Sequence, residues 1–261
     1  MGRIPIKSAA EVARIRESCR IVAEVLALVG SNIRPGVEAR VLDALAEEYI
    51  RAQAGVPAFK GYGHQKDNLF PATLCVSVDS EVVHGIPDGR RLEEGQVVSI
   101  DVGVKKDGYF GDGARTFAVG AISEEKTRLL RVTRESLERA IAAIRPGIHL
   151  EDVSATVQQH VEAAGFSVVR DLVGHGIGRE LHEEPSIPNF GTPGRGPLLK
   201  EGMVLAIEPM VNAGQYHVEL GGDGWTVRTR DGRPSAHFEH TVAVTAEGAE
   251  VLTRYGETGS D

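Results

Sequence analysis

The sequence predicts an α+β fold in which two related halves, at roughly 5–120 and 121–253, pack as one domain over residues 1–261. Three patterns carry this expectation. Helix-period segments in pairs precede strand-period segments, and the succession occurs twice. The tetrapeptide Ile-Arg-Pro-Gly stands at 33–36 and again at 144–147, each time between two helical segments. Carboxylates interrupt apolar strands at matching places in both halves.

The elements follow in order. Ser8 and Glu11 have the spacing of a capping box. Behind them Val12, Ile15, Cys19, Val22, Val25, Leu26 and Val29 recur at helical spacing, and the first Ile-Arg-Pro-Gly ends the helix. A second helix is expected from Glu38 to Ala54, stopped by Gly55. A third runs from Glu124 to Ile144 and ends at the second Ile-Arg-Pro-Gly. A fourth spans Leu150 to Ala164 and stops at Gly165.

Further echoes follow in the same order. Val83-His84-Gly85-Ile86 is matched by Gly174-His175-Gly176-Ile177. Glu94-Gly95, six residues before Asp101, is matched by Glu201-Gly202, six before Glu208. Phe110-Gly111-Asp112, with Thr116 to Val119 behind it, is matched by His237-Phe238-Glu239 with Thr241 to Val244. Separations between copies vary, so the loops differ. Related halves bring a seam, a natural place for a site.

Gln96 to Val104 reads as a strand. Alternation puts Val98, Ile100, Val102 and Val104 on one face and Val97, Ser99, Asp101 and Gly103 on the other. Met203 to Met210 reads as its counterpart, with Leu205 and Ile207 opposite Val204, Ala206 and Glu208. Asp107-Gly108 predicts a hairpin turn leading to the strand of Asp112. Glu239 belongs to a later strand, with His240 on its opposite face. Four carboxylates brought together would force one another to protonate unless cations neutralise them. Two divalent ions match four negative charges, and His175 completes an oxygen-rich set suited to Mn, Fe or Co, with Zn also accommodated. Glycines around His175 permit close backbone approach in a tight turn.

Composition narrows the classes. The chain has 261 residues, 41% hydrophobic and 25% charged, as in ordinary globular proteins. It has no apolar run of about 18 residues, so no membrane helix is expected. The charged N-terminus lacks the apolar core of a signal peptide. Two cysteines, Cys19 and Cys75, make no disulfide framework and fit the reducing cytoplasm. The absence of a Cys-x-x-Cys pair excludes a thiolate zinc module. A net charge of −8 argues against a nucleic-acid partner.

Asp101, Asp112, His175, Glu208 and Glu239 resemble, in order and spacing, the five metal ligands of the methionine aminopeptidases. The surrounding words are similar too: VVHGIP at 82–87, DVGVKKDGYFGD at 101–112, GHGIGRELHEEP at 174–185, AIEP at 206–209 and FEHTVAV at 238–244. The resemblance covers roughly residues 5–253 and points to the short, bacterial type I branch, without the type II helical insertion or a cysteine-rich extension. It implies the pita-bread fold and two divalent ions (Co, Mn, Fe or Zn), with Asp112 and Glu239 shared between them. Asp101 would serve one ion, and His175 and Glu208 the other. It further implies Glu208 as proton acceptor, His182 at the scissile carbonyl and His84 near the scissile amide nitrogen. Tyr62, Cys75, Leu181 and Trp225 would wall the methionine side chain. The implied substrates are nascent polypeptide N-termini with a small second residue, met by a cytoplasmic monomer, with the ribosome as a candidate partner. The 63–74 segment is longer than in many type I members, and Phe59 stands where a smaller residue is common. The nearest rival is an Xaa-Pro aminopeptidase or prolidase, which shares the ligands but usually carries an additional N-terminal domain. A non-catalytic binding relative would have lost ligands, and a mononuclear iron oxygenase would leave the duplicated carboxylates unexplained.

Overall fold

A computed structural model of the chain describes residues 3–63 and 67–254. The first half holds α1 (Ala9–Gly30) and α2 (Ala39–Ala52), then β1 (Val56–Pro57), β2 (Leu74–Val78), β3 (Glu81–Val83), β4 (Val97–Lys106) and β5 (Tyr109–Ala118). The second half opens with α3 (Glu124–Ala143) and α4 (Leu150–Ala163). It continues with β6 (Ser167–Val168), β7 (Val173–Gly176), β8 (Glu183–Pro188), β9 (Val204–Ile207) and β10 (Met210–Asn212). The last strands are β11 (Val218–Leu220), β12 (Val227–Thr229), β13 (Ser235–His237), β14 (His240–Val244) and β15 (Ala249–Val251).

All strand pairs among the described residues are antiparallel. One sheet runs β1-β4-β2 with β5 also on β4, and another runs β15-β14-β9-β7-β8; β11-β12-β3 and β13-β10-β6 form smaller sheets. The turn between β4 and β5 is Asp107-Gly108, with φ of 48° and 81°, the double positive φ that lets a two-residue turn follow the strand twist.

The capping box forms: Ser8 N donates to Glu11 Oε2 and Glu11 N to Ser8 Oγ. Ile15, Cys19, Val22, Val25 and Val29 are fully buried, as their helical spacing requires. The helix lies close on β5. A Cβ at Gly111 would fall 2.7 Å from Cys19 N, and one at Gly113 2.9 Å from Val22 Cγ1. The second helix ends two residues earlier than expected, at Ala52, because Ala54 turns to a φ of 55° and Gly55 N bonds back to Ile50 O.

Val98, Ile100, Val102 and Val104 join the apolar cluster of the first half, under α1 and α2. Leu205 and Ile207 join that of the second half, with α3 and α4. A third cluster joins residues of both halves, among them Ile15, Cys19, Phe59, Tyr109, Ile177, Leu181 and Val204. The single strand expected from Met203 to Met210 is divided. It breaks at Glu208-Pro209, where proline has no N–H for a ladder, and β10 continues into another sheet. No helix among the described residues is long and apolar enough to cross a membrane.

Candidate active site

A cavity of about 470 Å³ opens at the seam, and all eleven residues singled out in the sequence line it: Asp101, Asp112, His175, Glu208, Glu239, His84, His182, Tyr62, Cys75, Leu181 and Trp225. His240 is not among them; it turns away and bonds Thr253 Oγ1 through Nδ1.

Backbone pairing sets the carboxylates. Asp101 on β4 sits in register with Cys75 on β2 and Ala114 on β5. Asp112 on β5 donates its N–H to Thr241 Oγ1, whose hydroxyl donates to Asp112 O. Glu239, between β13 and β14, donates its N–H to Ala114 O. Glu208 follows β9, and its carbonyl accepts from Asn189 Nδ2 at 3.0 Å. His175 lies on β7, paired with β8 and β9, and not in a turn. Its neighbouring glycines serve close approach: a Cβ at Gly174 would strike Ala206 O, and one at Gly176 would strike Glu184 O.

Asp112, His175 and Glu239 each bring one ligand atom within 4.8 Å of the others. His175 Nδ1 faces Gly176 O at 2.9 Å. A carbonyl only accepts, so Nδ1 carries the proton and Nε2 presents its lone pair. That Nε2 lies 3.6 Å from Glu208 Oε1 and 3.9 Å from Asp112 Oδ2. Asp112 and Glu239 are each only 3% exposed, and neither Asp101 Oδ1 nor Glu239 Oε1 has a hydrogen-bond partner among the described residues.

Such a group needs positive charge. Burial first, with Glu208 adding, raises the Asp101 carboxyl to about 7, against the opposing pull of His237. Burial also drives Asp112, Glu208 and Glu239 well above the usual carboxylate range, with neighbouring acids adding for Asp112 and Glu239. His175 is lowered to about 4 by burial and then by His182, so it is neutral and available as a ligand. Orphaned carboxylate oxygens, a bare imidazole nitrogen and mutually repelling acids fit a divalent-metal centre.

The histidines not expected to bind metal are placed differently. His182 stands just before β8, its Nδ1 2.5 Å from the Tyr62 hydroxyl and its ring edge-on to His175. The turn ahead of it is pinned by Glu183, which accepts from Arg179 N at 2.8 Å, from Glu180 N and from Lys7 Nζ. His84, at the end of β3, has a φ of 59° and faces Trp225 edge-on. Positive φ at a non-glycine residue is strain of a kind that gathers at functional sites. Burial, then His237 and His182, lower His84 to about 4.

Trp225 projects from the β11–β12 hairpin, packs against Phe70 at 5.3 Å between ring centroids, and donates Nε1–H to Asn68 Oδ1. Phe70 and Asn68 come from the long 63–74 segment, of which residues 64–66 lie outside the described residues. Phe59 also lines the cavity, over Gly103. Sequence reasoning missed two wall residues of consequence, Phe70 and His237. Phe70 was signalled only as an aromatic in a polar stretch. His237 was signalled by its position two residues before Glu239.

The model of metallopeptidase family M24 matches residues 13–246. The chain belongs to metallopeptidase family M24. This metallopeptidase is 51% identical to a methionine aminopeptidase of Clostridium perfringens, over 96% of this chain and 98% of the relative. The crystal structure of methionine aminopeptidase from Thermotoga maritima superposes with a TM-score of 0.94 at 48% identity, covering 97% of this chain and 100% of the other. The prolidase from Pyrococcus furiosus superposes with a TM-score of 0.77 at 25% identity, and the match spans 97% of this chain but 66% of the prolidase. The metallopeptidase thus has the expected pita-bread fold.

Proposed function

We propose that this metallopeptidase is a methionine aminopeptidase that removes the initiator methionine from nascent polypeptides whose second residue is small. The observation that carries the reading is the convergence of five acid and histidine side chains beside an apolar wall of Tyr62, Cys75, Leu181 and Trp225 in one cavity. A slot with sulfur and aromatic edges suits a thioether. The same reading gives a cytoplasmic monomer acting on nascent polypeptide N-termini, with the ribosome as a candidate partner.

Asp101, Asp112, His175, Glu208 and Glu239 would hold two divalent ions, drawn from Co, Mn, Fe and Zn. When bound, these supply an acidified water as nucleophile and a Lewis acid for the peptide carbonyl. Glu208 accepts the proton of the attacking water. His182 donates Nε2–H to the scissile carbonyl oxygen as negative charge develops there. Tyr62 favours that tautomer by donating its hydroxyl to His182 Nδ1; burial raises the Tyr62 phenol above its usual range, so the proton stays in place. His84 approaches the scissile amide nitrogen from the opposite half.

Hydrolysis of Met-Ala-Ser and Ala-Pro-Ala side by side, after chelation and re-addition of each metal, tests the reading. Metal-dependent release of methionine from the first alone is expected. Cleavage of only the second would move the protein to the proline-specific branch, and cleavage of neither with metal bound would overturn the reading.

A further inference from the structure

Among the described residues, His237 is the one imidazole lining the cavity that the proposed mechanism does not use. Its residue is 1% exposed, and neither ring nitrogen has a hydrogen-bond partner among the described residues. A buried, unpaired imidazole N–H is a costly thing to keep, and calls for a partner.

The backbone of His237 is held by a device that recurs once at this seam. Thr241 Oγ1 accepts from Asp112 N and donates to Asp112 O. Thr116 Oγ1 does the same for His237, accepting from its N–H at 2.8 Å and donating to its carbonyl at 2.8 Å. The Thr116 proton is thereby committed, so Ser99 must donate the hydroxyl hydrogen that joins Ser99 Oγ to Thr116 Oγ1 at 2.8 Å. Thr116 and Thr241 are matching residues of the two halves. One clasp presents Asp112 to the cavity; its counterpart presents His237 to the same cavity.

Glu208 tells what His237 does there. Its two oxygens face two imidazoles: Oε1 lies 3.6 Å from His175 Nε2, and Oε2 lies 3.6 Å from His237 Nε2. His175 has its proton fixed on Nδ1 by Gly176 O, which leaves Nε2 bare. Among the described residues no carbonyl engages Nδ1 of His237, so nothing holds its proton there and Nε2 is free to carry it. We infer that His237 is a positioning residue for Glu208: its Nε2–H holds the outer carboxylate oxygen, so that the inner one is kept toward the metal centre. The 3.6 Å gap is only a few tenths of an ångström beyond hydrogen-bonding range, so a small rotation of either side chain closes it. Partners of this kind orient metal ligands and tune affinity without touching the ion. The inference rests on the reading of Glu208 as a ligand.

Calorimetric titration of the full-length, chelator-stripped protein with cobalt(II), read together with the visible cobalt spectrum, tests it. His237→Leu is expected to weaken cobalt binding about 10–100-fold without changing stoichiometry. His237→Gln places an amide N–H where Nε2 stood and is expected to restore affinity with an unchanged spectrum. His237→Asn places its amide at the Nδ1 position and is expected to behave like leucine, which keeps the test decisive if the leucine variant does not fold. Wild-type affinity in His237→Leu or His237→Asn would overturn the inference. So would a glutamine variant as weak as these with an altered spectrum, because His237 would then be a ligand itself. Absence of cobalt binding in the wild type would instead overturn the metal-centre reading beneath it.

Discussion

In the first half Gly36 donates to Leu92 O and Leu92 N donates back to Val37 O; in the second, Gly147 and Leu199, with Ile148, repeat the arrangement. The glycines have φ of 87° and 89°. Each lies in an Ile-Arg-Pro-Gly, and each ties a helix–helix junction to the segment leading into a carboxylate strand. The histidines carried by the two halves differ more. His175 sits in a strand with its Nε2 among carboxylates, whereas His84 holds a positive φ beside Trp225. The paired backbone frames of the two halves set where side chains enter the cavity. The local conformation around each histidine sets what its ring meets there.

The largest effect should come from breaking this division directly. His175→Ala is expected to lose metal and activity together. His84→Ala is expected to keep its metal, measured by elemental analysis, while kcat falls about 10²-fold or more, as for loss of a group acting on the leaving nitrogen. Equal metal loss in both variants would mean that the halves have not diverged in role.

Within the second half, His182→Ala should lower kcat about 10²–10³-fold at unchanged metal content, the scale of one lost oxyanion donor. Tyr62→Phe removes only the hydrogen bond behind it, about 0.5–1.5 kcal/mol, so kcat should fall about 2- to 10-fold. If Tyr62 acts through His182, as proposed, that loss should vanish in a His182→Ala background. A Tyr62 effect that persists there would assign the residue to side-chain binding alone.

The carboxylates predict a pH dependence for the metal-free protein. The folded Asp101 carboxyl is raised to about 7, from an ordinary value of 3.8. As pH climbs from about 4 to about 7, the unfolded chain has released this proton while the folded chain still binds it, so folded stability falls. Asp101→Asn removes that loss. In chelator, the melting temperature of the variant relative to wild type should therefore rise across this window and level off above it. A constant difference would show that Asp101 is not held protonated.

The smallest effects test the scaffold. Ser8 caps α1 and Ser123 caps α3, each accepting an N–H in the first turn. Ser8→Ala and Ser123→Ala should each cost about 1 kcal/mol by denaturant unfolding and leave kcat unchanged. A markedly larger loss at one would show that the halves are unequally dependent on their leading helix.

Much of this was legible in the sequence because it is local. Val98 to Val104 declared a core face by alternation, Ile15 to Val29 by helical spacing, and the carboxylates stood out as poor strand formers placed twice. The break at Glu208-Pro209 was less legible, since the apolar pattern runs through it while the ladder partner changes. His175 read as a turn residue because its glycines suggest turns; the structure uses them to admit the carbonyls of neighbouring strands. Phe70 and His237 carry only faint local signals, because their place in the wall depends on contacts across the seam, to Trp225 and Thr116.

The most direct test of the account is a crystal soaked with manganese(II) and measured by anomalous diffraction. Two metal peaks are expected in the seam cavity, within ligand distance of Asp112 and Glu239, with His175 as the one histidine ligand. A peak on His84, or none beside the four carboxylates, would contradict it.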